Sequence, residues 1–144
     1  MSLSFDERKA VVEFRIEKAR RAFEQARGVV ELQYWETIAN RLYYAAYNAV
    51  SAMLIAYGYT AHSHDGVIHL FGQHFVKPGI VDIKDGKLYH HLFTMRLTGD
   101  YDDTYGLTSE DVLPLLEPAS ELIEKAISIA MKKINESQSG QYGV

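Results

Sequence analysis

Two groups of residues in this chain have the types and spacing to do chemistry. The first is Phe93-Thr-Met-Arg-Leu-Thr-Gly-Asp-Tyr-Asp-Asp103, where Arg96 stands just before an expected helix end, followed by Gly99, Asp100 and Tyr101. A guanidinium placed where a helix opens into a loop presents a planar fork of donors suited to a phosphate or a carboxylate. The same Arg96 is also spaced to pair with Asp100 at i+4, or with Asp103. The second group is the segment Asn40-Arg-Leu-Tyr-Tyr-Ala-Ala-Tyr-Asn-Ala-Val-Ser51. At helical spacing, Asn40, Arg41, Tyr44, Tyr47, Asn48 and Ser51 share one stripe. Trp35, Ile38, Leu42, Ala45, Ala49, Met53 and Ala56 form a second, apolar stripe on the same helix. An inner helix carrying Arg and Tyr must find partners for its polar groups, because each one buried unpaired costs ~1–3 kcal/mol. The polar stripe is therefore either a hydrogen-bonded core network or the floor of a polar site.

Other chemistries find less support. His62, His64, Asp65 and His69 cluster in sequence, but their spacing lacks the i, i+4 histidine pair of a helical zinc motif. No metal and no cofactor are expected, and His64 reads as a residue helping to cap a short helix. Cysteine is absent, which excludes disulfides and thiolate ligands. Neither a Gly-x-Ser-x-Gly elbow nor a phosphate loop occurs, and the glycines read as breakers at helix ends.

Charge narrows the partners. The net charge is −4 overall, divided as +2 over residues 1–99 and −6 over residues 100–144. Such a balance gives no support for sequence-independent nucleic-acid binding over the whole surface, so any RNA contact has to be local. Arg15, Lys18, Arg20, Arg21 and Arg27 interleave with Glu13, Glu17 and Glu24, as on a solvated, salt-bridged helix face. No apolar run is long enough to span a membrane, and charge begins at Asp6, so the expectation is a cytoplasmic protein.

These residues are positioned by helices. Strand signals are nearly absent, and helical periodicity covers most of the chain. A first helix is expected over residues 6–31, with a Ser4/Glu7 capping box and Val11, Phe14, Ala19, Ala22, Phe23 and Ala26 facing inward. A second covers 34–57 and stops at Gly58. A short one runs from 64 or 65 to 76 behind Ser63, and residues 78–86 form a loop. A fourth spans 87–100, packing Leu88, Leu92 and Met95. The last opens at Ser109 with Glu110 and Asp111, carries Pro114 and Pro118 early, and runs to 135 with Ile123, Ala126, Ile127, Ala130 and Ile134 inward. The fold class is all-α: an up-and-down bundle of four long helices plus one short helix. One domain is expected over 4–136, with a flexible tail over 137–144.

Four blocks in order carry a more specific signal: Asn40-Arg-Leu-Tyr-Tyr-Ala-Ala-Tyr47, His62-Ser-His-Asp-Gly-Val-Ile68, Phe71-Gly-Gln-His-Phe-Val-Lys-Pro-Gly79 and Arg96-Leu-Thr-Gly-Asp-Tyr101. Across about residues 10–135 they resemble the HEPN superfamily, in particular its small stand-alone prokaryotic branch. The resemblance implies a helical bundle that forms a homodimer, often encoded beside a minimal nucleotidyltransferase in a toxin–antitoxin pair. Many members are metal-independent ribonucleases whose Arg, followed four to six residues later by His, is assembled across the dimer. There the His moves protons and the Arg steadies the phosphate while a 2′-hydroxyl attacks.

This chain matches the motif at Arg96 but has Asp100, Tyr101, Asp102 and Asp103 where the His would stand. A tyrosine, with an unperturbed pKa near 10, is a poor base at neutral pH. Arg96, Asp100 and Tyr101 are accordingly the candidate catalytic group, and Arg41, Tyr44, Tyr47, Asn48 and Asn40 the candidate binding group. The expected function is a dimeric module that binds a nucleotide, RNA or a nucleotidyltransferase partner. The alternative is a metal-independent endoribonuclease toxin with a non-standard site, using Tyr101 or a His from elsewhere.

Overall fold

A computed structural model describes residues 3–101 and 106–141, the side chains of 101 and 138–141 excepted. Its helices are α1 (Phe5–Gly28), α2 (Trp35–Ala56), α3 (His64–Phe71), α4 (Ile83–Tyr101), α5 (Ser109–Val112) and α6 (Leu116–Gln141), with no strand among the described residues. The four long helices and short α3 match the expected all-α bundle. None of the described helices is long and apolar enough to cross a membrane.

Local chemistry sets the helix ends. Ser4 and Glu7 close the expected capping box, each side chain accepting from the other's backbone N–H at 3.1 and 3.0 Å. Past α2 the chain turns at Gly58, whose φ of +87° is the left-handed conformation that glycine adopts without strain. The Ser63 hydroxyl accepts from the Gly66 N–H to start α3. A single π-turn, Gly72–Val76, continues α3.

Several boundaries and one face differ from expectation, α1 ending at Gly28 rather than 31 among them. Helix α4 begins at Ile83 rather than 87, because Asp85 accepts the Asp82 N–H at 2.9 Å and nucleates a turn inside the expected loop. Gly86 does not break that helix. It lets α4 pass Val76, whose Cγ2 would stand 3.0 Å from a Cβ at that position. Gly99 likewise sits within α4, close to Glu36 and Leu107, so these glycines serve close approach and not termination. The last helical segment opens at Ser109 as expected, and at its start Asp111 accepts from the Thr108 N–H and hydroxyl at 2.9 and 3.1 Å. Pro114, lacking an N–H, tightens the chain into a 3₁₀ turn at Leu113–Leu115 before α6 starts. Helix α6 takes Pro118 in its first turn, where a missing N–H costs nothing, and then runs to Gln141 with no further proline. On α1 the buried stripe is Val12, Ile16, Ala19, Ala22 and Ala26, while Phe14 falls off that period and is 57% exposed.

Helix α2 is the centre of the bundle, packed by α1, α4 and α6. Ala39, Ala45, Ala46, Ala49 and Ala52 are fully buried on it, and these small side chains allow three helices to approach one. With neighbours on most sides, the polar stripe of α2 buries Asn48 and Ser51 and leaves Asn40, Arg41, Tyr44 and Tyr47 half-buried at the helix junctions.

Candidate functional site

Arg96 is one of four buried polar or charged residues among the described ones. One turn before the end of α4, it projects onto α2, where it is only 8% exposed. Its guanidinium carbon lies 5.1 Å from the ring centre of Tyr43, 5.7 Å from that of Tyr44 and 5.7 Å from that of Phe93. Three ring faces attract the cation electrostatically and replace part of its lost hydration. Asp100, of the two expected carboxylates the one that is described, lies 3.3 Å from Nη1. Nε has no partner among the described residues. The guanidinium is thus folded back over the rings and keeps an unused donor.

His64 joins this cluster from α3. Its Nδ1 is 2.6 Å from the Tyr43 hydroxyl, and its ring centre is 4.8 Å from that of Tyr47 and 5.9 Å from that of Tyr44. Partial burial and the charge of Arg96 lower the His64 pKa, against a smaller opposing pull from Asp65. The imidazole is therefore held towards its neutral form. Burial pushes the Tyr43 phenol up to about 12, so that hydroxyl keeps its proton at neutral pH. Tyr89, packed 6.0 Å away between ring centres, is raised well above the usual phenol range, again chiefly by burial. Either tautomer of His64 has a use. With Tyr43 donating to Nδ1, Nε2–H is a donor for a phosphate oxygen. With Nδ1–H donating to Tyr43, Nε2 is free to accept a proton.

The polar stripe of α2 extends the cluster towards α1. Asn40 Oδ1 accepts from Nε and Nη2 of Arg41 at 3.0 and 2.8 Å, and Gln25 accepts from Nη1 at 3.2 Å. These bonds hold the Arg41 guanidinium 5.4 Å from the Tyr44 ring centre. Tyr44 consequently has Arg41 and Arg96 as neighbours. Asn48 donates to the Tyr44 carbonyl at 2.9 Å and accepts from Arg15 at 3.0 Å. A cleft of about 220 Å³ between α1 and α2 is lined by Lys18, Arg21, Gln25, Arg41, Tyr44 and Asn48. Glu17, 3.4 Å from Arg21, is the carboxylate paired with these cations among the described residues.

The structure thus brings Arg41, Tyr44, Tyr47, Asn48 and Asn40 into one neighbourhood with Arg96 and Asp100. Tyr101 closes α4, but its side chain lies outside the described ones, as do Asp102 and Asp103. Sequence reasoning missed His64, Tyr43 and Phe93. His64 reads as a cap, but Ser63 does the capping and leaves the imidazole for Tyr43. Tyr43 and His64 are 21 residues apart on helices of different direction, so no periodicity links them.

Comparison with known proteins places the chain in a family. A family model described as HEPN domain matches residues 12–132. A UPF0332 protein of Thermotoga maritima is 33% identical over 125 residues, covering 85% of this chain and 95% of that protein. Two proteins of Methanocaldococcus jannaschii named as candidate toxins are also similar. One is 25% identical over 118 residues, covering 82% of this chain and 80% of its own. The other is 27% identical over 119 residues, covering 83% and 87%. With the family model spanning α1 to α6 and a relative at this identity over most of both chains, the protein belongs to the HEPN domain family.

Proposed function

We propose that this HEPN protein is a toxin-type module that binds RNA in the cytoplasm. The phosphate backbone would run along the α1/α2 cleft and end at Arg96. One observation carries the reading: Tyr44 lies between Arg41, 5.4 Å away, and Arg96, 5.7 Å away, joining the basic cleft to the His64 cluster. Lys18, Arg21 and Arg41 give the cleft a local positive field that the net charge of −4 conceals. Tyr44 and Tyr47, both half-buried, offer ring surface against which an unpaired base can stack. The 3.3 Å contact between Arg96 and Asp100 is one that a phosphate replaces on binding.

A homodimer and a minimal nucleotidyltransferase partner, as a toxin–antitoxin pair, complete the proposal. Family membership and the similarity to proteins named as candidate toxins support the pairing. The exposed side chains of Phe14, Leu32 and Tyr34 supply apolar surface for self-association. The test of RNA binding is fluorescence anisotropy with a labelled single-stranded RNA at low and moderate salt. Arg41→Ala should weaken binding several-fold and flatten the salt dependence. Equal binding by the variant, or none by the wild type at low salt, overturns the reading.

The position of His64 favours a second reading, metal-independent RNA cleavage. A neutral imidazole beside Arg96 has the protonation state of a base at neutral pH. Nε2 would take the proton of a ribose 2′-hydroxyl as its oxygen attacks the adjacent phosphorus. The P–O5′ bond then breaks, the 5′-oxygen takes a proton from water while His64 gives its own back to solvent, and a 2′,3′-cyclic phosphate remains. Arg96 would steady the charge on the non-bridging oxygens. Under this reading, wild type cuts RNA in the presence of a chelator and His64→Ala is slower by ~100-fold or more. Intact RNA with wild type, or equal cutting by both, removes it.

A further inference from the structure

The far end of the α2 stripe opens into a second cavity, separate from the RNA cleft. It measures about 350 Å³ and lies between the first turns of α1, the last turns of α2 and the loop after Gly58. That volume is within the range of about 300–1,000 Å³ typical of small-molecule sites. Val11, Leu54, Ile55 and Val67 give it aliphatic walls.

Cationic groups enter it from one helix. Arg8 and Arg15 line the cavity from α1, two helical turns apart and so on one face. Neither has a carboxylate partner among the described residues, and the side-chain bond of Arg15 goes to the neutral amide of Asn48. Ser51 also lines the cavity, but its hydroxyl oxygen is buried out of contact with it. The loop meets Arg8 at Gly58, where it is the left-handed φ and not a clash that calls for glycine. A Cβ there would stand 3.4 Å from the Arg8 Nη1, at a φ of +87°.

We propose that this cavity is a binding site for an amphipathic anion. A carboxylate or phosphate head is held by Arg8 and Arg15, while an apolar body lies against Val11, Leu54, Ile55 and Val67. Two cations without counter-charges call for an anion, and the aliphatic walls call for an apolar body. Neither feature alone specifies this ligand class.

Isothermal titration of the full chain with octanoate, octyl phosphate, 1-octanol and inorganic phosphate tests the proposal. At least one of the two octyl anions should bind saturably at one per chain, and the stronger of them identifies the head group. Octanol and inorganic phosphate should each bind at least tenfold more weakly than that anion. Arg8→Gln, which keeps a polar side chain but removes the charge, should weaken it at least tenfold with an unchanged melting curve. No saturable binding of either octyl anion, equal binding of octanol, or undiminished binding by Arg8→Gln overturns the proposal.

Discussion

The Tyr43 hydroxyl and the Nδ1 of His64 lie 2.6 Å apart, joining the middle of α2 to the first residue of α3. Tyr43 is fully buried and its phenol is pushed up to about 12, so the pair is a protonated hydroxyl against an imidazole held towards neutrality. This bond fixes where His64 sits relative to Arg96, since both residues pack on the Tyr43 ring.

The depressed pKa of His64 makes stability depend on pH. A histidine whose folded pKa lies below its ordinary value of 6.5 binds fewer protons folded than unfolded between those two values. Stability should therefore fall as the pH drops through 6.5 towards the lower folded value, and be insensitive to this group above it. His64→Gln should flatten that acid-side decline. Urea midpoints of both proteins at pH 7.5 and 5.5 check this, and parallel declines would assign the effect to other groups.

Tyr43→Phe keeps the buried ring and removes the hydroxyl. It should cost about 1 kcal/mol of stability through the lost hydrogen bond. It should also raise the freedom of the His64 ring, broadening its imidazole signals in NMR spectra. A variant as stable as wild type with an unchanged His64 signal would mean that the 2.6 Å contact contributes nothing.

Asp100 partly neutralises Arg96, and its side chain is 30% exposed. Asp100→Asn should strengthen RNA binding by up to about fivefold, the factor equivalent to a partly exposed ion pair worth at most ~1 kcal/mol. Weaker binding would make Asp100 an organiser of the guanidinium and not its competitor for phosphate.

Gly86→Ala tests the close approach of α4 to Val76. In an exposed helix this change stabilises by roughly 1 kcal/mol. Here the new Cβ meets a β-branched side chain at 3.0 Å, so the expected result is a loss of about 1 kcal/mol. Thermal melts of the two proteins decide the sign.

The helices were legible in the residue order because burying one face imposes a period of 3.6 on a helix. Ile38, Leu42, Ala49 and Met53 on α2, and Ile123, Ala126, Ile127, Ala130 and Ile134 on α6, read inward from spacing alone and are buried. The Ser4–Glu7 cap was equally legible, being a bond between residues three apart. Where a tertiary contact outweighed local preference, the reading slipped. Gly86 looked like a loop residue until Val76 was beside it, and Phe14 looked like core until the stripe of Val12 and Ile16 was seen to leave it outside.

The same division holds at the candidate site. Sequence by itself placed Asp100 at pairing distance from Arg96, beside Asp103 as an alternative, and put Asn40, Arg41, Tyr44, Tyr47 and Asn48 on one stripe, because those relations are set by local spacing. Only the tertiary structure decided that His64 meets Tyr43, and that Arg41 and Arg96 both reach Tyr44. Those relations depend on how α1, α3 and α4 pack on α2, and packing geometry is set by contacts between residues far apart in the chain.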